Sequence, residues 1–430
     1  MDNGRAIIEV VKENLKPARG CTEPGAIGYA AARAAAVLEN VEAVEPDAIR
    51  VWLSGSVYKN ARSVGIPGTS SSGIALAVVL GALYGKADRA LEVFGGITEA
   101  EIARAESYCR RTPPSVDVDN SEEPFFIAVE IDRSGHTGRC TITGDHTHVT
   151  YVGVDGRTVY QAEKSAVSGE MGSLSWASLS AVLNSRVHLD EGDEAFFMTA
   201  IQKNRDAGTA ATQSGALELT AALFPRQEEP GVAIGELDSL IRRFTRTTVA
   251  AVEDRMTGAS RSIITNSGSG NQGLTATIPV VLAAESLGSD KRTLIEAVYL
   301  SHAINVYVRS YQAVLSGMCG LIGAALGAVC GVLYLVTPPE GLLEAVRRAS
   351  NAMTASVTGM ICDGAKVSCA YKCALALDAA AYGYRLVQSG IDVFEGEGVV
   401  GEDLEQTIQN LGGIATRGLC GVDDVVLGRN

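Results

Sequence analysis

An α+β fold is what the sequence predicts: a largely helical domain into which a small α/β module containing an antiparallel sheet is inserted. Two observations carry this. Apolar residues recur at helical spacing in residues 1–44 and again in nearly everything after Gln161. Between these stretches lie the runs Phe125–Ile131, Arg139–Thr143, His148–Val154 and Thr158–Tyr160, which alternate apolar and polar residues and are separated by Gly and Asp, as antiparallel strands do. The expected division is therefore residues 1–44 and 161–430 for the helical domain and residues 45–160 for the module.

Taken in order, residues 3–16 form an amphipathic helix with Ile7, Ile8, Val10, Val11 and Leu15 on one side and Glu9, Lys12 and Glu13 on the other, ended by Pro17. A second helix starts after Cys21, with Thr22 as its cap and Glu23 and Pro24 in its first turn, and runs to about Glu39. Ala48–Tyr58 has strand character, Thr69–Tyr84 is a helix of small residues, and Thr98–Arg110 is a charged helix before Pro113 and Pro114. Beyond the sheet the helices break at Pro225, Pro230, Gly268–Gly273, Pro338–Pro339 and Gly412–Gly413. Ala313–Pro338 carries no charge, and Leu321–Val336 is apolar with Gly323, Gly327 and Gly331 at four-residue spacing. Such a segment is long enough to span a bilayer. It lacks a basic flank, since Pro338, Pro339 and Glu340 follow, so a central helix wrapped by other helices is the expected outcome.

Composition excludes several classes of function. In 430 residues, 36 Lys and Arg stand against 50 Asp and Glu, a net charge of −14, which argues against nucleic acid and membrane surfaces as partners. Hydrophobic residues at 46% and charged ones at 20% describe a chain with a sizeable core. The nine cysteines cannot all pair, and Met1–Arg5 is polar, unlike a signal peptide. A reducing cytoplasm is expected, where spaced cysteines more often bind metal or do chemistry than cross-link. Nothing in the sequence fixes the oligomeric state, and a homodimer is an open option.

Four motifs bear on chemistry. Gly268–Gly273 fits G-x-G-x-x-G after the strand-like Ser262–Thr265, with Asp290 about twenty residues on. A dinucleotide fold also needs a strand leading to that acid, and Ala283–Ser289 is not one, so a turn or a small carboxylate-binding loop built from Ser267, Ser269, Asn271 and Gln272 fits better. In Ile361–Cys373, the residues Cys362, Lys366, Cys369 and Cys373 would share a face if the run were one helix, but that places Cys362 and Cys369 about 10 Å apart along the axis. With Asp363 capping a helix from Gly364, Cys362 instead sits in the preceding loop and swings toward Cys369. Three thiolates from separate segments suit an iron–sulfur cluster, with a further cysteine available at Cys319, and zinc accepts the same ligands. Cys21, beside Arg19 and ahead of a helix, has the setting of a reactive thiolate. His146 and His148 share a strand face but have no third ligand nearby.

Together, Gly20–Pro24, Val57–Asn60 with Val64–Thr69, Ser267–Gly273, Met318–Gly320 and Gly359–Lys366 resemble the L-cysteine desulfidase family, related to the iron–sulfur L-serine dehydratases, nearly end to end. The resemblance implies a [4Fe–4S] lyase in the helical domain, free of pyridoxal phosphate, that converts L-cysteine to sulfide, ammonia and pyruvate, the substrate thiolate binding at an open iron. It implies Cys319, Cys362 and Cys369 as cluster ligands and Cys21 as a catalytic thiol or itself the third ligand. Lys366 is then expected to stabilise developing charge, and Lys59, Asn60, Ser267, Ser269, Asn271 and Gln272 to bind substrate. L-Serine dehydration at the same iron and a non-catalytic, thiol-sensing cluster protein are the alternatives.

Overall fold

The computed structural model describes residues 3–38, 41, 45–69, 71–119, 124–162, 172–214, 217–224, 236–312, 315–391 and 396–428. The breaks expected at Pro225 and Pro230 and the helix end expected at Glu39 lie outside them.

Helix α1 (Asn3–Glu13) buries Ile7, Ile8 and Val11, and the short strand β1 (Pro17–Arg19) follows it. In α2 (Thr22–Ala36) the first turn holds Glu23 and Pro24 as expected, but Cys21 takes the cap position without a side-chain bond. The Thr22 hydroxyl donates to Glu23 Oε2 at 3.0 Å instead of capping. The expected strand Ala48–Tyr58 divides into β2 (Ala48–Leu53) and α3 (Gly55–Ala61). Alternate burial stops at Leu53, and Val57, Lys59, Asn60 and Ala61 are buried at helical spacing. Next come α4 (Ile74–Tyr84) and α5 (Glu99–Arg111), the latter started by a Thr98–Glu101 capping box. Then follow β3 (Ser115–Val118), β4 (Phe126–Arg133), β5 (His136–Thr143), β6 (Val149–Val154) and β7 (Arg157–Gln161). The sheet runs β3-β2-β4-β5-β6-β7. Its β4–β7 portion is the expected antiparallel meander, β2 joins β4 antiparallel, and β3 pairs β2 in parallel.

The remainder is helical: α6 (Leu179–Asn184), α7 (Glu191–Gln213), α8 (Glu218–Leu223) and α9 (Glu236–Met256), then strand β8 (Ser262–Ile264). After it come α10 (Gly270–Leu287), α11 (Lys291–Arg309), α12 (Leu321–Val336), α13 (Leu342–Val357), α14 (Cys369–Gln388), α15 (Leu404–Gly413) and α16 (Val422–Leu427). Among the described residues β8 pairs only with β1, antiparallel, with Ile264 opposite Pro17. Among the described residues no strand follows α10, and Asp290 caps α11, so the glycine-rich loop is not a dinucleotide fold. α10 runs unbroken through the buried Pro279. Its packing against α9, α11 and α12 outweighs the one ladder bond that proline removes.

The uncharged segment forms the central helix α12, buried from Leu321 to Gly331. A Cβ on Gly327 would lie 2.2 Å from the Ser301 carbonyl oxygen and one on Gly331 2.8 Å from that of Ala297. The glycine spacing thus seats α12 directly on the backbone of α11. Among the described residues no helix is long and apolar enough to cross a membrane.

Two hydrophobic cores result among the described residues. One gathers α1 with the helices after residue 172, and the other gathers α2–α5 with the sheet. α2 sits in the sheet core, its Ala26, Ile27, Ala30 and Ala34 packed with Val51, Ile127, Val129 and Ile142. Thus α2 packs with the sheet although it lies within residues 1–44, while Cys21 ahead of it and Val64 after α3 still pack in the helical core. The alanine-rich face of α2 is flat enough to lie on a sheet, a preference that helical periodicity alone does not reveal.

Candidate active site

The two cores meet at a cavity of about 100 Å³. The sheet side supplies Glu23, Asn60 and His146, and the helical side supplies Arg255, Ser267, Ser269, Asn271, Gln272, Arg309, Cys319, Cys362 and Cys369, with Cys21, which packs in the helical core, at the seam.

Cys319 and Cys362 are brought together by a short antiparallel pairing. Met318 bridges Ile361, Cys319 N donates to Met360 O at 2.9 Å, and Cys362 N donates to Gly317 O at 2.8 Å. Cys369 is the first residue of α14, its thiol 3.7 Å from Gly364 O. The helix thus begins at Cys369 and not at Gly364. Asp363 does not cap it, because its carboxylate is taken by the ammonium groups of Lys366 and Lys372. Burial pushes the Cys319 and Cys369 thiols up, and the neighbouring Cys362 adds to both. Arg309, the last residue of α11, is drawn down to about 10 by burial, an effect that Cys362 and Cys319 oppose. Cys373 is buried one turn along α14, bonded to Thr275 Oγ1 at 3.4 Å, and does not line the cavity.

Opposite these thiols, Glu23 is the hub of a buried network. Its Oε2 accepts from Cys21 Sγ and Thr22 Oγ1, both at 3.0 Å, and its Oε1 accepts from Asn60 Nδ2 at 3.0 Å. His146 Nε2 stands 3.7 Å from Oε1, beyond hydrogen-bond reach, and neither ring nitrogen has a protein partner among the described residues. Burial favours the neutral Glu23 acid, but the His146 imidazole and the Cys21 thiol outweigh it and hold the carboxyl far below its usual range. Cys21 moves the other way: burial first, then the Glu23 charge, raise its thiol well above the ordinary value. Arg19 does not activate it, since that guanidinium bonds Glu92 and Ser260 O. The expected free thiolate is therefore a protonated thiol donating to a carboxylate.

The glycine-rich loop is held from behind. Buried His302 is kept neutral, its pKa lowered to about 3 by desolvation. Its Nδ1 accepts from Asn266 Nδ2 at 2.8 Å, which leaves Nε2 to donate to Thr277 Oγ1 at 3.0 Å. Asn266 Oδ1 in turn accepts from the Ser267 hydroxyl at 2.8 Å, with Ser267 itself at φ +47°. Ser269 caps α10, and Gln272 Oε1 accepts from Asn305 Nδ2 at 3.1 Å.

Of the residues singled out in the sequence, Cys21, Asn60, Ser267, Ser269, Asn271, Gln272, Cys319, Cys362 and Cys369 share this cavity. Lys59 and Lys366 do not line it. The Lys59 ammonium is buried against Cys362 O at 2.9 Å and Asp423 of α16, and Lys366 is committed to Asp363 at the surface. Glu23, His146, Arg255 and Arg309 are the cavity residues that sequence reasoning missed as functional. Glu23 carried a signal by lying in the Cys21 motif and His146 by its spacing from His148, although both histidines lie in the loop between β5 and β6 and not on a strand face.

Residues 88–428 match the serine dehydratase alpha chain family. A UPF0597 protein of Oleidesulfovibrio alaskensis is 33% identical over 98% of this chain and 96% of its own length. UPF0597 proteins of Parabacteroides distasonis, at 32%, and Shewanella pealeana, at 33%, cover the same shares. The match takes in most of the cavity, from His146 through Arg255 and Ser267 to the three cysteines, and on that extent the chain belongs to the serine dehydratase alpha chain family.

Proposed function

We propose that the protein is a pyridoxal-phosphate-free iron–sulfur lyase that degrades L-cysteine to hydrogen sulfide, ammonia and pyruvate, with L-serine dehydration as the alternative from the same site. The observation that carries the reading is three thiols from separate segments on one cavity wall, facing a buried thiol–carboxylate–imidazole group. Among the described residues no three His, Cys, Asp or Glu side chains close around one point as ligands of a single ion. Thiols spread over a wall suit a cluster, each of whose irons takes its own sulfur, better than a lone zinc. Cys319, Cys362 and Cys369 would hold it, with the Arg309 guanidinium beside the first two to offset its thiolates. When bound, a [4Fe–4S] cluster with one iron free of protein ligands supplies a Lewis acid that makes the substrate's β-substituent a better leaving group.

The chain's own groups account for the proton movements. Loss of the Cα proton and the β-substituent gives 2-aminoacrylate, whose imine tautomer water hydrolyses to pyruvate and ammonia. His146 lines the cavity with Nε2 3.7 Å from the Glu23 carboxylate and neither ring nitrogen in a hydrogen bond among the described residues, and this reading assigns it, in its neutral form, the Cα proton, with Glu23 stabilising the imidazolium that results. Cys21 holds a proton on Sγ with ionised Glu23 as its acceptor, so the pair can give up and regain one proton beside the substrate. Its electrostatic partners are Glu23 and Arg255, which supports a catalytic role over that of the third cluster ligand. Ser267, whose hydroxyl proton goes to Asn266, presents lone pairs to the substrate ammonium.

Anaerobic reconstitution tests the assignment. Cys319→Ala, Cys362→Ala and Cys369→Ala should each lose bound iron and turnover, while Cys21→Ala should keep the iron and lose turnover. A wild-type protein that binds iron yet releases no pyruvate from L-cysteine or L-serine overturns it.

A further inference from the structure

We propose that Arg255 is the anchor for the substrate's α-carboxylate. The identity of the anion rests on the amino-acid lyase reading; the need for an anion does not. Arg255 lies one residue before the end of α9, is 5% exposed, and lines the cavity beside Cys21. Its Nη1 donates to Asn271 Oδ1 at 2.8 Å, an uncharged acceptor whose own amide is fixed by Met256 Sδ at 3.6 Å. Nε and Nη2 have no partner among the described residues, and no carboxylate there pairs with the guanidinium. The nearest cavity carboxylate, Glu23, is engaged by Cys21, Thr22 and Asn60.

A buried cation without a counter-charge is strongly unfavourable, and chains keep one only where something else supplies the charge. The two unpartnered atoms are also the matching pair. Nε–H and the adjacent Nη2–H point the same way and form the side-on fork that takes both oxygens of a carboxylate. Asn271 occupies the remaining edge and locks the fork's direction. Gly270 makes room for it, since a Cβ there would lie 2.4 Å from Nε and 2.6 Å from Cζ. The positive end of α10 begins at the same residue, adding a favourable field for an anion. An α-amino acid held here by its carboxylate would have its Cα next to the Cys21–Glu23–His146 group, with its side chain free to extend toward the cysteine wall.

The test uses full-length, anaerobically reconstituted protein and L-alanine, which has the carboxylate and ammonium but no leaving group, against L-alaninamide, which lacks the carboxylate. Calorimetry should show wild-type protein binding L-alanine and not the amide. Arg255→Met should weaken L-alanine binding about 30-fold or more, the loss expected for a charged hydrogen-bonded pair. Arg255→Lys, which keeps the charge and loses the fork, should bind about tenfold more weakly and raise KM for L-cysteine by a similar factor with kcat little changed. Gly270→Ala, which displaces the guanidinium while leaving it in place chemically, should raise KM the same way. Equal binding of L-alanine and its amide, no binding of L-alanine by wild-type protein, or unchanged binding by Arg255→Lys and Gly270→Ala each overturn the proposal. Turnover with an unchanged KM in Arg255→Lys removes the anchor and leaves the lyase. Binding that is lost on substitution, in a protein that turns over neither amino acid, keeps the anchor and removes the lyase.

Discussion

Cys21, Glu23 and His146 show how burial decides the chemistry of single residues. With its carboxyl held ionised by the imidazole and the thiol, Glu23 keeps Cys21 protonated, so Glu23→Gln should lower the Cys21 pKa, read as faster alkylation of that thiol. His146→Asn should lower kcat about 10²–10⁴-fold, the contribution of a general base, with KM changed little, because the imidazole is not placed as a binding group. His302 gives a pH effect of definite sign. Its folded-state pKa is about 3 against a usual value near 6.5. Between these values the unfolded chain carries a proton that the folded one excludes, so this residue withdraws stability as pH falls, by about 1.4 kcal/mol per unit. Urea midpoints measured from pH 7 to pH 5 should fall more steeply for the wild type than for His302→Gln. The cysteines of the wall were legible from their spacing in Ile361–Cys373 and from the motifs Met318–Gly320 and Gly359–Lys366. Arg255 and Arg309 were not, since an arginine at the end of an amphipathic helix reads as a solvated cap until the neighbouring helices cover it.

At the scale of elements, the loop that carries Cys362 is fastened from outside the cavity. Lys59 of α3 bonds the Cys362 carbonyl and pairs with Asp423 of α16, which also accepts from Ser56. Asp423→Ala leaves a buried ammonium short of its counter-charge and should cost about 2 kcal/mol, visible as a lower urea midpoint and as iron lost faster from reconstituted protein. Gly327→Ala, which drives a methyl into the Ser301 carbonyl, should destabilise by roughly 2 kcal/mol or more. Most helices were readable from apolar spacing, and α12 from its lack of charge and its flanks. What failed were starts. Thr22 and Asp363 are good caps by residue type, yet nearby Glu23 in one case and Lys366 with Lys372 in the other claim their side chains. Side-chain pairing across a loop is invisible to a local rule.

For the whole molecule, the α+β class follows from periodicity, but the site exists only where the two cores touch. Sheet-side residues from α2, α3 and the β5–β6 loop face helical-side residues from α9–α12 and α14 across one cavity. That juxtaposition brings motifs scattered from Cys21 to Cys369 onto one cavity, and it is why no single segment of sequence spells out the site. The central claim is β-elimination from an amino acid bearing a sulfur leaving group. Its most direct test is the ratio of sulfide to pyruvate released by reconstituted protein from L-cysteine under anaerobic conditions, run beside L-serine. The account predicts equal amounts of the two products from L-cysteine, faster than pyruvate from L-serine, and neither product from Cys362→Ala. Turnover of L-serine alone would contradict the substrate, and turnover of neither by protein that holds its iron would contradict the lyase itself.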